Sequence, residues 1–274
     1  MSGPPDRLTV DADLHARFDP RVAVASLSGE SDASWARAAA PHVGAAFLGG
    51  IALDADARAA ARALVARGRN EFLPDDPTAF VDRQLATLAD APDAPPVVGV
   101  NVRSATLAPI REVAGVCADY GAVLEVNAHC RQEELCAAGC GETLLRDTER
   151  LRRYVAAAGD AGATTSVKLR AEVEGVDLPT LAPRLVDAGA DVLHVDAMDS
   201  EAVVADVVDA APDAVVVANN GVRDRETVRE YLDYGADAVS VGRPSDDPTV
   251  LRRVRAAADE WAAERRVENG EVTP

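Results

Sequence analysis

Eight short apolar runs, each followed by a longer stretch of helical period, predict an α/β protein folded as a (β/α)8 TIM barrel in a single domain. Continuous apolar strands imply burial on both faces, as in a parallel sheet covered by helices. The length of 274 residues suits one such barrel, which commonly takes about 250. Apolar residues make up 48% of the chain but aromatics only 4%, so alanine and valine must carry the core.

In chain order, residues 1–20 form an N-terminal extension, residues 21–265 the barrel, and residues 266–274 a polar tail expected to be disordered. The strand candidates are 22–27, 44–48, 97–102, 122–127, 164–169, 191–196, 214–218 and 237–242. Amphipathic helices are expected over 106–119, 143–158, 178–188, 199–209, 223–234 and 248–264. The segment 49–95 is longer than a simple crossover needs. It holds Gly49-Gly50, Pro74-Asp75-Asp76-Pro77 and Pro92, which point to a loop inserted after the second strand. Two echoes, Asp187-Ala188-Gly189-Ala190-Asp191-Val192 and Asp233-Tyr234-Gly235-Ala236-Asp237-Ala238, read as helix-to-strand joints closed by glycine.

The net charge is 28 − 46 = −18, with the acids dispersed over many segments. That balance fits a salt-rich cytoplasm, where charge is screened over a few Å. It gives no broad basic face for a phosphate backbone. No apolar stretch approaches the length of a membrane span, and the N-terminus lacks a signal pattern, so a cytoplasmic protein with no membrane contact is expected. Four cysteines are too few and too clustered for a secreted disulfide scaffold. The spacing of Cys130, Cys136 and Cys140 beside His129 matches no common metal pattern, so no metal is expected.

In a barrel the chemistry sits at the C-terminal ends of the strands. Seven of the eight expected mouths are polar: Ser26, Asn101, Asn127 with His129-Cys130, Lys168 with Arg170, His194 with Asp196, Asn219-Asn220-Gly221, and Gly242-Arg243. Lys168 is the one lysine among twenty-seven arginines. A compact ammonium is not interchangeable with a planar guanidinium, so its retention points to a site without room for arginine. The turns Asn219-Asn220-Gly221-Val222 and Val241-Gly242-Arg243-Pro244 close strands seven and eight, where barrels often bind phosphate through backbone N–H groups.

The segment from Glu125 to Leu145 resembles the signature of the dihydrouridine synthases, D-I-N-x-G-C-P followed by seven residues and G-x-G-x-x-L-L. Asn127, Cys130, Gly139, Gly141 and Leu144-Leu145 fall in register without a gap. Val24–Asp32 is similar to that family's first-strand motif, Val100-Asn101-Val102 to its V-Q-L, Val167–Arg170 to its V-K-x-R, and Val241-Gly242-Arg243 to its I-G-R turn. The resemblance runs from residue 22 to about 250 and implies an FMN-dependent oxidoreductase acting on CH–CH bonds. On that basis Lys168 would lie at the pyrimidine edge of the flavin, with Ser26, Asn101 and His194 as further flavin contacts. Asn219, Gly221, Gly242 and Arg243 would hold the phosphate. Asn127 and Arg170 would face a uracil whose C5=C6 bond is reduced, hydride coming from flavin and a proton from Cys130. NADPH or NADH would be the reductant.

The departures bear on the substrate. Glu125 replaces the usual aspartate, His129 a glycine, Arg131 a proline, and Asp196 an arginine that helps hold RNA. Since the chain ends soon after the eighth unit, the helical C-terminal domain by which typical synthases grip tRNA is expected to be lacking. The pattern is similar to a short archaeal group that carries N-A-H-C-R-Q. A free pyrimidine or dihydroorotate-like molecule is therefore an alternative substrate to tRNA, and a barrel that has lost catalysis is a third reading.

Overall fold

A computed structural model describes residues 12–268. Eight parallel strands close into a barrel in sequence order, β1 pairing with both β2 and β8. The chain runs through α1 (Ala12–Arg17), β1 (Val22–Val24), α2 (Ala33–Ala39), β2 (Ala45–Ala52), α3 (Ala55–Ala66), α4 (Pro77–Ala89), β3 (Val97–Arg103) and α5 (Leu107–Asp119). It continues with β4 (Val123–Asn127), α6 (Glu133–Ala137), α7 (Glu142–Arg146), α8 (Thr148–Asp160), β5 (Thr164–Arg170), α9 (Leu178–Val186) and β6 (Val192–Asp196). Last come α10 (Val203–Ala210), β7 (Val215–Asn219), α11 (Arg225–Asp233), β8 (Ala238–Val241) and α12 (Pro248–Glu268). All eight expected strands are present, which establishes the single-domain barrel.

Period-two alternation gives the strands their two faces. Outward residues such as Val100, Leu124, Val167, Val195 and Val239 meet the helices in one large core. Inward residues near the strand starts (Ala23, Phe47, Val97, Val123, Val192, Val215) fill the bottom of the barrel. Leu14 and Phe18 of the N-terminal extension join that cluster, so α1 plugs the bottom opening. Farther along, the inward positions turn polar: Asn101, Glu125, Asn127, Ser166, Lys168, His194 and Ser240 are all buried. Part of the acid content is structural, since Asp32, Asp54, Asp76, Asp147, Asp177 and Asp224 each cap a helix by accepting a first-turn N–H.

Several boundaries differ from those expected. β2 runs through Gly49-Gly50 to Ala52, because the two glycines form a bulge inside the strand rather than ending it. The helix expected over 143–158 is split at Asp147, whose side chain caps the second part. The last helix extends to Glu268, so residues 266–268 of the expected tail are helical. Residues 1–11 and 269–274 lie outside the described residues. The segment after β2 does hold the expected insertion, as α3 and the stretch 67–76.

Candidate functional site

A cleft of about 520 Å³ opens at the C-terminal end of the barrel, over β5 to β8 and the loop after β1. Its wall follows the ring of strands, from His129 and Lys168 through Asp196 to the turns after β7 and β8, and closes on Ser26 and Leu27 after β1, the neighbour of β8. Asn219 and Gly221 line it beside Gly242 and Arg243, at the ends of the paired strands β7 and β8. Six of the residues expected at the site thus converge on one cavity: Ser26, Lys168, Asn219, Gly221, Gly242 and Arg243. The volume lies in the range of small-molecule and cofactor sites.

Lys168 is 3% exposed, and its ammonium has no hydrogen-bond or ion-pair partner among the described residues. Burial pulls it below the ordinary lysine range, while the carboxylates of Glu125 and Asp196 act to keep it charged. A nearly buried cation on a cleft wall, without a protein acceptor, is arranged to meet a ligand acceptor.

Beneath the cleft lies a hydrogen-bonded layer centred on Glu125, which is fully buried. Its Oε1 accepts from Asn101 Nδ2 at 2.7 Å. Its Oε2 accepts from Ser166 Oγ at 3.1 Å and from His194 Nδ1 at 2.7 Å. Because Nδ1 carries the proton toward Glu125, Nε2 of His194 accepts from the Ser240 hydroxyl at 2.8 Å. Burial works against the charge on Glu125, but His194, Lys168 and Asn101 outweigh it and hold the carboxyl below its ordinary range. Burial likewise keeps His194 below the ordinary imidazole range. Asn101 Oδ1 accepts from Asn127 Nδ2 at 2.9 Å, linking β3 to β4. Asn101, Asn127 and His194 therefore underlie the cleft and do not line it.

Asn127 also shapes the turn that follows β4. Its Oδ1 accepts from the backbone N–H of Cys130 at 3.2 Å. The glycine motif completes the turn: Gly141 has φ +57°, and a Cβ there would lie 2.1 Å from the carbonyl oxygen of Cys130. The Cys130 side chain does not line the cleft. It packs against a small apolar cluster that includes Leu64, Leu135 and Cys140, as Leu73, Ala105 and Ala138 also do. On the cleft side of this turn stands His129, with Nε2 3.9 Å from Asp196 Oδ2. Burial, followed by the charges of Lys168, His194, Arg103 and Arg170, holds His129 well below the ordinary imidazole range. Arg170 does not line the cleft; its Nη1 donates to Asp196 Oδ2 at 3.3 Å. Asn220 Nδ2 donates to the other oxygen of Asp196 at 2.7 Å.

Sequence reasoning missed two parts of the site. Glu125 stood out only as a replacement, and the alternation that turns it inward with Ser166 and His194 was the available signal. Arg103, buried at the end of β3, pairs with Glu71 from the insertion at 2.7 Å, and no local pattern announces that pair.

The site fits FMN on three observations. One is the unpartnered ammonium of Lys168. Another is the backbone at Gly242, where a Cβ would meet nothing within 4 Å, leaving the start of the Arg243–Asp246 turn open to a ligand. The third is the left-handed Gly221, with φ +67°, facing it from the end of β7. The paired turns are donors suited to a phosphate.

No family model matches the chain. An uncharacterised protein of Methanocaldococcus jannaschii is 26% identical over 264 residues, covering 92% of this chain and 96% of that protein. The tRNA-dihydrouridine synthase B of Xanthomonas campestris is 26% identical over 188 residues, covering 64% of this chain and 56% of the synthase. The synthase of Xanthomonas axonopodis gives the same figures, so the match spans little more than half the length of either enzyme. Among solved structures, DHODH of Eimeria tenella in complex with ferulenol superposes with a TM-score of 0.65 at 14% identity, covering 89% of this chain and 82% of that one. Thiamine phosphate pyrophosphorylase of Pyrococcus furiosus gives a TM-score of 0.55 at 13% identity, over 89% and 98% of the two chains. These two likenesses establish the barrel fold.

Proposed function

We propose that this chain is an FMN-dependent oxidoreductase of the dihydrouridine synthase type, reducing the C5=C6 bond of a uracil ring. The observation that carries the reading is the nearly buried Lys168, whose ammonium has no hydrogen-bond or ion-pair partner among the described residues, placed in one cleft with the glycine turns that close β7 and β8. Sequence similarity to tRNA-dihydrouridine synthase B over 188 residues supports it.

Lys168 would hold the ring end of the cofactor, and Ser26 would line the same cleft. Asn219, Gly221, Gly242 and Arg243 would hold its phosphate. Asn101 and His194 support the floor from below through Glu125. When bound, FMN supplies the two-electron chemistry. The chain's own part is to orient the ring, exclude water, and deliver a proton. Cys130 gives its thiol proton to C5 of the uracil, and the thiolate is reprotonated from solvent. Asn127 holds the backbone of that turn, and Arg170, fixed on Asp196, stands behind the substrate side of the wall. NADPH or NADH would restore the reduced cofactor in a salt-rich cytoplasm.

A second reading, a free pyrimidine in place of tRNA, is favoured by the net charge of −18, since a polynucleotide needs cationic contacts along its backbone. Anaerobically reduced holoprotein mixed with uracil, uridine or unmodified tRNA tests both. Flavin absorbance returns faster with at least one of them than with buffer alone. No acceleration by any of the three refutes the uracil chemistry. Dihydrouridine content of tRNA from a deletion strain then separates the two substrates.

A further inference from the structure

The insertion between α3 and α4 does more than connect them. Residues 67–73 fold back over the mouth, on the side opposite the cleft. Asn70 Nδ2 donates to Glu30 Oε1 at 2.6 Å. Glu71 Oε2 accepts from Arg103 Nη1 at 2.7 Å, and Arg103 also donates to the Ser28 hydroxyl. Ser28 follows β1 and Arg103 ends β3, so this strap ties together the strands on either side of β2.

The surrounding backbone is shaped to admit the pair. Gly29 has φ +74°, and a Cβ there would lie 2.5 Å from the backbone nitrogen of Glu71. A Cβ on Gly50, in the β2 bulge, would lie 2.7 Å from Arg103 Nη2. A side chain at Gly29 would push the strap backbone away, and one at Gly50 would displace the Arg103 guanidinium that holds it. The side chains of Arg103 and Glu71 are 5% and 4% exposed, so losing the carboxylate leaves a buried guanidinium without a counter-charge. At the far end of the strap, Leu73 packs on the same apolar cluster as Cys130.

We propose that Glu71 and Arg103 are positioning residues for Cys130. Their ion pair bolts the strap across the mouth and, through the apolar cluster on which Leu73 and Cys130 both pack, keeps the Cys130 thiol on the apolar wall, so that the thiol turns to the cleft only when the bolt opens. The catalytic meaning of that movement rests on the role proposed for Cys130 above; the control of thiol exposure does not.

The test is the alkylation rate of Cys130 by N-ethylmaleimide in purified protein, read by peptide mass spectrometry beside hydrogen exchange. In Glu71→Gln, which keeps shape and loses charge, alkylation of Cys130 rises at least about tenfold and exchange quickens over 67–73. Cys117 and Cys140 stay protected, and exchange around Gly221 and Gly242 is unchanged, which separates local release from global loosening. Glu71→Asp, which keeps the carboxylate, restores most of the wild-type rate. Leu73→Ala, which keeps the ion pair, also accelerates alkylation and serves if Glu71→Gln does not fold. Unchanged alkylation in both Glu71→Gln and Leu73→Ala overturns the proposal, as does a faster strap with a wild-type thiol rate. Wild-type protein that takes up no flavin would refute the proposed function while leaving these rates, and this inference, intact.

Discussion

His194 donates its Nδ1 proton to Glu125 at 2.7 Å, with both side chains fully buried under the floor of the cleft. This pair joins β4 to β6, and through Asn101, Ser166 and Ser240 it reaches β3, β5 and β8. One carboxylate thus organises five of the eight strands at the level just below the ligand.

Glu125→Gln removes that charge without changing shape. The carboxylate accepts from Asn101, Ser166 and the neutral His194, so the amide NH2 of glutamine would face a donor and leave a buried group unsatisfied, at a cost of about 1–3 kcal/mol. Urea denaturation should show a loss of that order, with weaker flavin retention. A variant as stable as wild type would show that the layer is not cooperative.

The same layer sets an acid limit. Burial comes first among the causes that hold His194 and His129 below the ordinary imidazole range, so the fold favours their neutral forms. The unfolded chain binds these protons near pH 6.5. Stability is therefore complete above about pH 6.5 and falls as pH drops below it, by roughly 1.4 kcal/mol per pH unit for each histidine, until its folded-state value is reached. Glu125, held low in the fold, adds to the loss in the same direction below about pH 4.3. Unfolding free energies measured between pH 8 and 5 should decline at the acid end, and less steeply in His129→Gln. A flat profile contradicts the assignment.

Much of this was legible in the sequence, and the unread parts have physical reasons. The eight apolar runs, the solitary Lys168 and the turns at Gly221 and Gly242 are local patterns, and local patterns survive in a linear reading. Gly49-Gly50 looked like a loop because glycine marks both turns and bulges; only the neighbouring Arg103 reveals which. Glu71 and Arg103 lie 32 positions apart in different elements, so their pairing follows from closure of the barrel and not from spacing. The plug made by Leu14 and Phe18 escaped notice for the same reason: a six-residue helix has too little period to read.

Two glycines should behave oppositely. Gly141→Ala places a Cβ against the Cys130 carbonyl and forces a left-handed backbone, costing about 2–5 kcal/mol in a denaturation experiment. Gly242→Ala meets no protein atom and should change stability by less than about 1 kcal/mol, yet weaken FMN at least about tenfold by filling the approach to the turn. Equal effects on stability would remove the distinction between a structural and a ligand-facing glycine.

Cys130→Ala should keep its flavin and lose reduction of the uracil substrate, since the thiol lies off the cleft wall and takes no part in holding the cofactor. Turnover within a few-fold of wild type would assign the proton to another group.

Lys168, at the centre of the proposed site, should face a flavin. The direct measurement is the absorbance spectrum of the purified protein after FMN addition and removal of excess, compared with Lys168→Met and Lys168→Arg. Stoichiometric flavin is expected in wild type and binding weakened about tenfold or more in both variants, because Lys168→Met loses a charge-assisted hydrogen bond and Lys168→Arg puts a planar fork where a compact ammonium fits. Wild-type protein that emerges colourless, or variants that bind FMN as tightly as wild type, would contradict that placement of Lys168.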